Sequence, residues 1–262
     1  MKRKILSFIN YLGYNLTKAE QKKIITGKSA FNYLSYHPTP IGNYFVPKDI
    51  PKDAVAEKMK RGLFYDENII RIAKEYIKKD TIALDIGSNY GQMSLEFSKY
   101  VGENGSVYSF EAQKKVFDIL NLNIGTNNVK NIKTFYNAVY DVSNKKVNFQ
   151  EINLARFSSL GSFGIDINNN KNPQLDTISI DSIKFEKKIS FMKIDIQGAD
   201  LFALRGALNT IKRHKMAIIF EYEEQFQQNF GTTFQDYVDL VNEIDYKFVK
   251  TIDKINYLIL PK

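Results

Sequence analysis

The chain has 262 residues, 44% of them hydrophobic, no Cys, and a formal net charge of +8. That length suits one α/β domain with an extension, and the hydrophobic content argues against wholesale disorder. The missing thiols exclude a disulfide framework, thiolate metal sites and a cysteine nucleophile and fit a cytoplasmic location, while no apolar run approaches the ~20 residues of a membrane span.

The charge is uneven. Residues 1–80 hold 16 Lys/Arg and 8 Asp/Glu, whereas residues 81–262 hold 21 of each. A local basic excess favours anionic partners such as nucleotide-sugars, acidic lipids or nucleic acid, or else forms solvated Lys-rich faces. Residues 2–12 place Ile5, Phe8, Ile9 and Leu12 on one helical face behind Lys2, Arg3 and Lys4. Such a basic amphipathic helix either touches an anionic membrane peripherally or docks on the main domain. Lys2-Arg3-Lys4 looks like a signal n-region, but Asn10 ends the apolar run too early for a secretory leader. The proline-rich stretch 36–53 reads as an irregular linker or a loop over a pocket. Residues 1–60 are therefore expected as a basic helical and irregular N-terminal extension, with the main domain over 61–262.

Asp66 is placed to cap a helix whose stripe is Ile69, Ile70, Ala73, Tyr76 and Ile77. Apolar strand candidates follow at 81–86, 106–110, 132–139, 189–195 and 216–222, with helical spacing at 91–100, 113–124 and 199–213. Strands alternating with helices predict a doubly wound, mostly parallel sheet. Residues 140–185 break the rhythm with a strand-like 146–150, an Asn-rich loop at 168–172 and Thr177–Ile180, and read as an insertion near the ligand edge. The segments 248–252 and 255–260 predict a closing hairpin around Asp253-Lys254.

Ligands of such sheets bind outside the carboxyl ends of the strands. Five apolar runs end in polar residues there: Asp85, Glu111, Asn137, Asp195 and Glu221. Asp85-Ile-Gly-Ser-Asn-Tyr-Gly91 forms a strand, a glycine turn and a helix start, which brings backbone N–H groups to a ligand. Glu111 sits 26 residues after Asp85, where an acidic residue accepts hydrogen bonds from ribose hydroxyls or serves as a helix N-terminal carboxylate. The G-x-G-x-x-G pattern starting at Gly87 fails at Asn89 and Gln92. Gly27-Lys28-Ser29 has the ending of a phosphate-binding loop, but Lys22 occupies the first glycine's place. A pyrophosphate cradle is poorly supported. S-adenosylmethionine (SAM), which has no phosphate, suits Asp85, the loop at Gly87, Ser88, Asn89 and Gly91, then Glu111, Ala112, Asn137 and Ala138.

Taken with Ser109-Phe-Glu-Ala112, Met192-Lys-Ile-Asp-Ile-Gln-Gly-Ala-Asp200 and Leu204-Arg-Gly-Ala207, the loop resembles the FkbM family of class I SAM-dependent methyltransferases over about residues 61–262. The resemblance implies a Rossmann-like α/β fold with a seven-stranded sheet and an antiparallel last strand. It also implies methyl transfer, commonly to a hydroxyl of a sugar or related natural product. Lys193 and Asp195 match the family pattern. Gln197 stands where the family usually has Glu, which leaves that position no carried-over catalytic or metal role, and Asp200 replaces the last Glu.

Methyl transfer from a sulfonium is an in-line displacement, so alignment of the acceptor and removal of its proton are the protein's share. Asp195 is the candidate base or orienting group, or alternatively a helix cap, with Lys193 and Glu221 as catalytic candidates beside it. Asp195, Asp200 and Glu221 would suit a divalent cation such as Mg²⁺, a reading not favoured, and neither His37 nor His214 has metal spacing. Arg156, Ser158 and Ser159 are weaker candidates for acceptor contacts. The expected function is O-methylation of a sugar, glycan or related small molecule. The alternatives are an RNA methyltransferase, against which stands the lack of a [DN]-P-P-[YF] motif and of cysteine, and a non-catalytic SAM-binding module.

Overall fold

The computed structural model describes residues 33–48, 53–149, 164–165 and 174–262. The expected helix at 2–12, the 27–29 triplet, Arg156, Ser158, Ser159 and the Asn-rich loop lie outside those residues. The first described elements are an antiparallel hairpin of β1 (Leu34–Thr39) and β2 (Gly42–Pro47), then helices α1 (Ala54–Lys60) and α2 (Glu67–Tyr76). The hairpin corrects the expectation of irregular chain over 36–53. Its prolines are tolerated because a two-stranded ribbon has two edges. On the free edge of β2, side chains replace a third strand: Asn123 accepts from the Phe45 N–H at 2.6 Å and Asn127 from the Asn43 N–H at 2.8 Å. Both asparagines return a hydrogen bond to the carbonyl of the same strand residue.

The next elements alternate: β3 (Ile82–Ile86), α3 (Gln92–Val101), β4 (Ser106–Phe110), α4 (Lys114–Thr126) and β5 (Ile132–Phe135). A small three-stranded sheet follows, from β6 (Ala138–Val139), β7 (Lys146–Asn148) and β8 (Gln174–Ile178), in the order β6-β8-β7. The chain continues as β9 (Ile189–Ile194), α5 (Asp200–Arg205), α6 (Leu208–His214), β10 (Ala217–Glu221), α7 (Glu224–Gln227), α8 (Phe234–Glu243), β11 (Tyr246–Ile252) and β12 (Asn256–Pro261).

The main sheet runs β11-β12-β10-β9-β3-β4-β5. β10, β9, β3, β4 and β5 are mutually parallel, and β12 pairs antiparallel with both β10 and β11. This is the mostly parallel seven-stranded α/β sheet with an antiparallel last strand. The central strands are apolar on both faces because helices cover both. Successive residues divide between two cores with period two. Leu84, Ile86, Met192, Ile194, Ile218 and Phe220 pack towards α5, α6 and α8, while Ala83, Phe191, Ala217 and Ile219 pack towards α2 and α3.

Three further expectations change. The run 132–139 is two strands, since the chain leaves the main sheet after Phe135 and Asn137 donates to the Asp176 carbonyl at 3.1 Å beside the small sheet. The helix expected over 199–213 breaks at Gly206, where an added Cβ would sit 2.1 Å from the Tyr140 carbonyl oxygen, so the insertion packs directly on the break. Asp66 stands at the N-terminus of α2 but makes no side-chain capping bond.

Candidate active site

A cleft of about 540 Å³ opens along the carboxyl ends of the parallel strands. Its size lies within the range of cofactor and substrate pockets. From the β5 side towards β12 it is lined by Asn137, Ala138, Glu111, Ala112, Gly87, Asn89, Asp195, Gln197, Glu221 and Asn256. Ile86, Phe110, Val139, Phe149 and Ile165 supply apolar wall. Six of the nine positions expected to hold the cofactor thus share one hollow with Asp195 and Glu221.

Asp85, Ser88, Gly91 and Lys193 stand behind that hollow rather than in it. Asp85 is fully buried within β3 and accepts from the Ser94 hydroxyl at 2.5 Å. Its Oδ1 has no hydrogen-bond partner, and the Lys193 ammonium lies 3.9 Å away. Burial raises its carboxyl above the ordinary range, against the pull of Lys193. Ser88 donates to the Asp85 carbonyl at 2.7 Å and closes the turn. Gly91 has φ of 87°, and a Cβ there would sit 2.6 Å from Leu120 Cδ1, so this glycine lets α4 pack closely on the loop. Lys193 reaches from β9 to the Gly87 carbonyl at 2.9 Å and the Asp195 carboxylate at 3.2 Å. Burial works to lower its proton affinity, but Asp195 and Asp85 outweigh that and raise it, so it is a permanent cation.

Glu111 follows β4 and fixes the loop. Its Oε2 accepts the Asn89 N–H at 2.9 Å and its Oε1 the Gln113 N–H at 2.8 Å. Burial pushes its carboxyl up to about 7 despite those bonds. Each carboxylate oxygen still has a lone-pair direction free to accept.

Asp195 and Glu221 end the adjacent strands β9 and β10, and the Gln197 amide spans them, 3.4 Å from Asp195 Oδ1 and 3.2 Å from Glu221 Oε2. Burial, and then Asp195, Asp200 and Glu223 nearby, hold the Glu221 carboxyl far above the carboxylate range. Asp200 is buried under this pair and accepts from the Gly198 and Glu221 N–H groups. Among the described residues no group of three or more His, Cys, Asp or Glu side chains is placed to hold a metal ion.

Sequence reasoning missed Tyr65, Asp66, Glu223 and Asp253, all of which line the cleft. Glu223 lies two residues past β10 and was legible as another strand-end carboxylate. Asp66 read as a helix cap and Asp253 as a turn residue. Only the tertiary fold brings them to the sheet edge.

The cleft fits SAM by its own chemistry. Carboxylates at the strand ends suit a sulfonium and an ammonium, and Glu111 offers acceptors for ribose hydroxyls. None of the described lining residues is a Lys, Arg or His that would hold a pyrophosphate. A Cβ at Gly87 (φ 81°) would lie 1.9 Å from the Asp195 carbonyl oxygen, so glycine alone lets this turn cross the neighbouring strand end. The methyltransferase FkbM domain model matches residues 85–248. The chain belongs to the FkbM methyltransferase family. It is thereby a SAM-dependent methyltransferase, and motif, loop and sheet order agree.

Solved structures similar to this FkbM-family chain are distant. The FkbM methyltransferase from Methylobacillus flagellatus KT is 16% identical with a TM-score of 0.45; the match covers 91% of this chain and only 58% of that longer one. A SAM-dependent O-methyltransferase from Thermotoga maritima is 10% identical over 84% of this chain and 73% of its own, with a TM-score of 0.45. An rRNA methylase from Streptococcus thermophilus is 10% identical over 74% of this chain and 95% of its own, with a TM-score of 0.44. At these identities and TM-scores the neighbours' chemistry does not transfer to this chain. No curated protein matches it. Among the described residues no helix is long and apolar enough to cross a membrane.

Proposed function

We propose that this methyltransferase transfers the methyl group of SAM to a hydroxyl of a sugar, glycan or related small molecule. The observation that carries the reading is the Asp195–Glu221 pair on adjacent strand ends inside the cleft. Two close carboxyl groups whose surroundings differ take different roles. Glu221, the more buried partner, holds its proton more tightly than an ordinary carboxyl. Asp195, whose side chain keeps 28% of its surface exposed and is backed by the Lys193 ammonium, accepts the proton of the acceptor hydroxyl.

The residues that would hold the cofactor are Gly87, Asn89, Glu111, Ala112, Asn137 and Ala138. Asp85, Ser88, Gly91 and Lys193 fix that loop from behind. When bound, SAM supplies an electrophilic methyl on sulfur. Glu111 orients the ribose end, the Gln197 amide donates to both carboxyl groups, and Asp195 orients and deprotonates the hydroxyl. Orientation of this kind contributes about 7–11 kcal/mol to such reactions.

Mass spectrometry of incubations with SAM and a panel of sugars and oligosaccharides tests the reading. Asp195→Asn is expected to lower kcat about 10²–10⁴-fold, the range of general-base catalysis, with SAM affinity kept. Failure to form S-adenosylhomocysteine with any acceptor would leave a binding module instead. The RNA alternative draws support only from the basic first 80 residues, and strongly salt-dependent RNA binding would favour it. The composition suits the cytoplasm. For the 2–12 segment, vesicle flotation with and without residues 1–16 tests peripheral contact with anionic membranes.

A further inference from the structure

The acceptor half of the cleft, over the ends of β9, β10 and β12, is lined by Asp66, Asp195, Glu221, Glu223 and Asp253. No Lys, Arg or His stands among the described lining residues, in a chain whose formal charge is +8. Lys193, a buried cation among the described residues nearby, is already shared between Asp85 and Asp195. Lys58 acts on Asp66 only from outside the lining. Asp66 is held up to about 6 by burial and then by Asp195, with Asp253 adding to the rise, and the pull of Lys193 and Lys58 does not cancel that repulsion. Tyr65, 44% exposed, lies at the mouth and feels Asp66, Asp195, Glu221 and Glu223.

We propose that the acceptor carries a protonated amine close to its reacting hydroxyl, as an amino sugar or another hydroxylated amine does. The proposal deepens the O-methyl-transfer reading and rests on it. SAM does not use up the negative charge. Its sulfonium and ammonium are partly offset by its own carboxylate, and its ribose is matched by Glu111 on the far side of the cleft. What remains is a group of carboxylates beside an aromatic ring, the chemistry that recognises an ammonium ion by charge and by cation–π attraction. A neutral sugar would cover this acidic wall without adding any positive charge to it, and a phosphate-linked sugar would be repelled. Both penalties act on the acceptor alone, so they set specificity rather than cofactor affinity.

The test is titration calorimetry on the full chain saturated with S-adenosylhomocysteine. The probes are a fully deacetylated glucosamine tetramer and its N-acetylated counterpart, which differ in the amine charge. The amine form is expected to bind about tenfold or more tightly than the acetylated form at low salt, with the difference shrinking as salt rises. The double variant Glu223→Gln, Asp253→Asn, changed at the rim, is expected to lose most of that difference while still binding S-adenosylhomocysteine. Equal binding of the two tetramers, preference for the acetylated one, or binding of neither overturns the proposal. So does Mg²⁺ binding more tightly than the amine, which would make the carboxylates a metal site. Failure of the wild type to bind S-adenosylhomocysteine would instead overturn the methyl-transfer reading beneath it.

Discussion

The Lys193 ammonium donates to the Gly87 carbonyl oxygen over 2.9 Å, tying the carboxyl end of β9 to the turn after β3. The same ammonium lies 3.2 Å from the Asp195 carboxylate. One buried cation therefore sets both the cofactor loop and the candidate base. Lys193→Met keeps the length of the side chain and removes the charge. It leaves Asp85 buried and unpaired, and losing one partner of such a pair costs about 3–5 kcal/mol. Urea unfolding is expected to show a lower midpoint, with SAM binding lost even under folding conditions. An unchanged midpoint would mean that Asp85 is carried by Ser94 alone.

Gly87→Ala tests the crossing of the turn and the strand end. The methyl group would meet the Asp195 carbonyl at 1.9 Å, at a φ of 81°. Backbone on both sides must move, so both stability and cofactor binding are expected to fall, by more than the about 1 kcal/mol that αL strain alone costs. The same exchange at Gly102, where nothing lies within 4 Å of the added Cβ, serves as the control for φ alone. Equal losses at the two positions would refute the close-approach account.

SAM affinity should depend on pH through Glu111. Its carboxyl titrates at about 7 in the ligand-free protein, raised by burial. Ribose hydroxyls donate more strongly to the ionised form, so affinity is expected to rise between pH 6 and pH 8 and to level off above. In Glu111→Gln the rise should vanish and affinity should sit about 10–100-fold below the wild-type plateau, the worth of a charged hydrogen-bond acceptor. A rise that persists in the variant would assign the titration to another group.

The ligand-free protein is expected to be less stable at pH 8 than at pH 5. Asp66 is raised to about 6, and Glu111 and Asp200 to about 7, each chiefly by burial. The folded state then binds these protons more tightly than the unfolded chain does. Their contribution is complete below the unfolded values near 4 and is lost as pH rises through about 6 to 7. His37 and His214, both lowered chiefly by burial, add stability as pH rises through their ordinary value near 6.5 and oppose this drop, but the three more deeply buried carboxyl groups outweigh them. Glu57 and Asp236 are also shifted down, but both lie at the surface, are screened, and act below this range. Calorimetric Tm across this range measures the effect, and Asp66→Asn should reduce the drop. A Tm that rises from pH 5 to pH 8 would contradict it.

Much of the architecture was legible because each central strand is a short apolar run closed by a polar residue, a pattern set by burial on both faces. Asp195, Glu111 and Glu221 could be placed at one edge from that pattern alone. The roles within the edge were less visible. Asp85 has the sequence position of a ligand contact, yet it faces the interior, because strand alternation and the Ser94 hydroxyl draw its carboxylate under the loop. Asp66 and Asp253 come from a helix start and a hairpin turn on the β12 side of the cleft, and no local signal distinguishes them from surface residues. The hairpin at 34–47 was hidden because its ladder is completed by Asn123 and Asn127, eighty residues away.

β12 lies between β10 and β11 although it is translated after both. During synthesis the sheet therefore waits with an empty slot, exposing two unsatisfied strand edges until residues 256–261 leave the ribosome. Completion of the sheet is therefore expected to come late, and the strand edges left open before it invite mispairing.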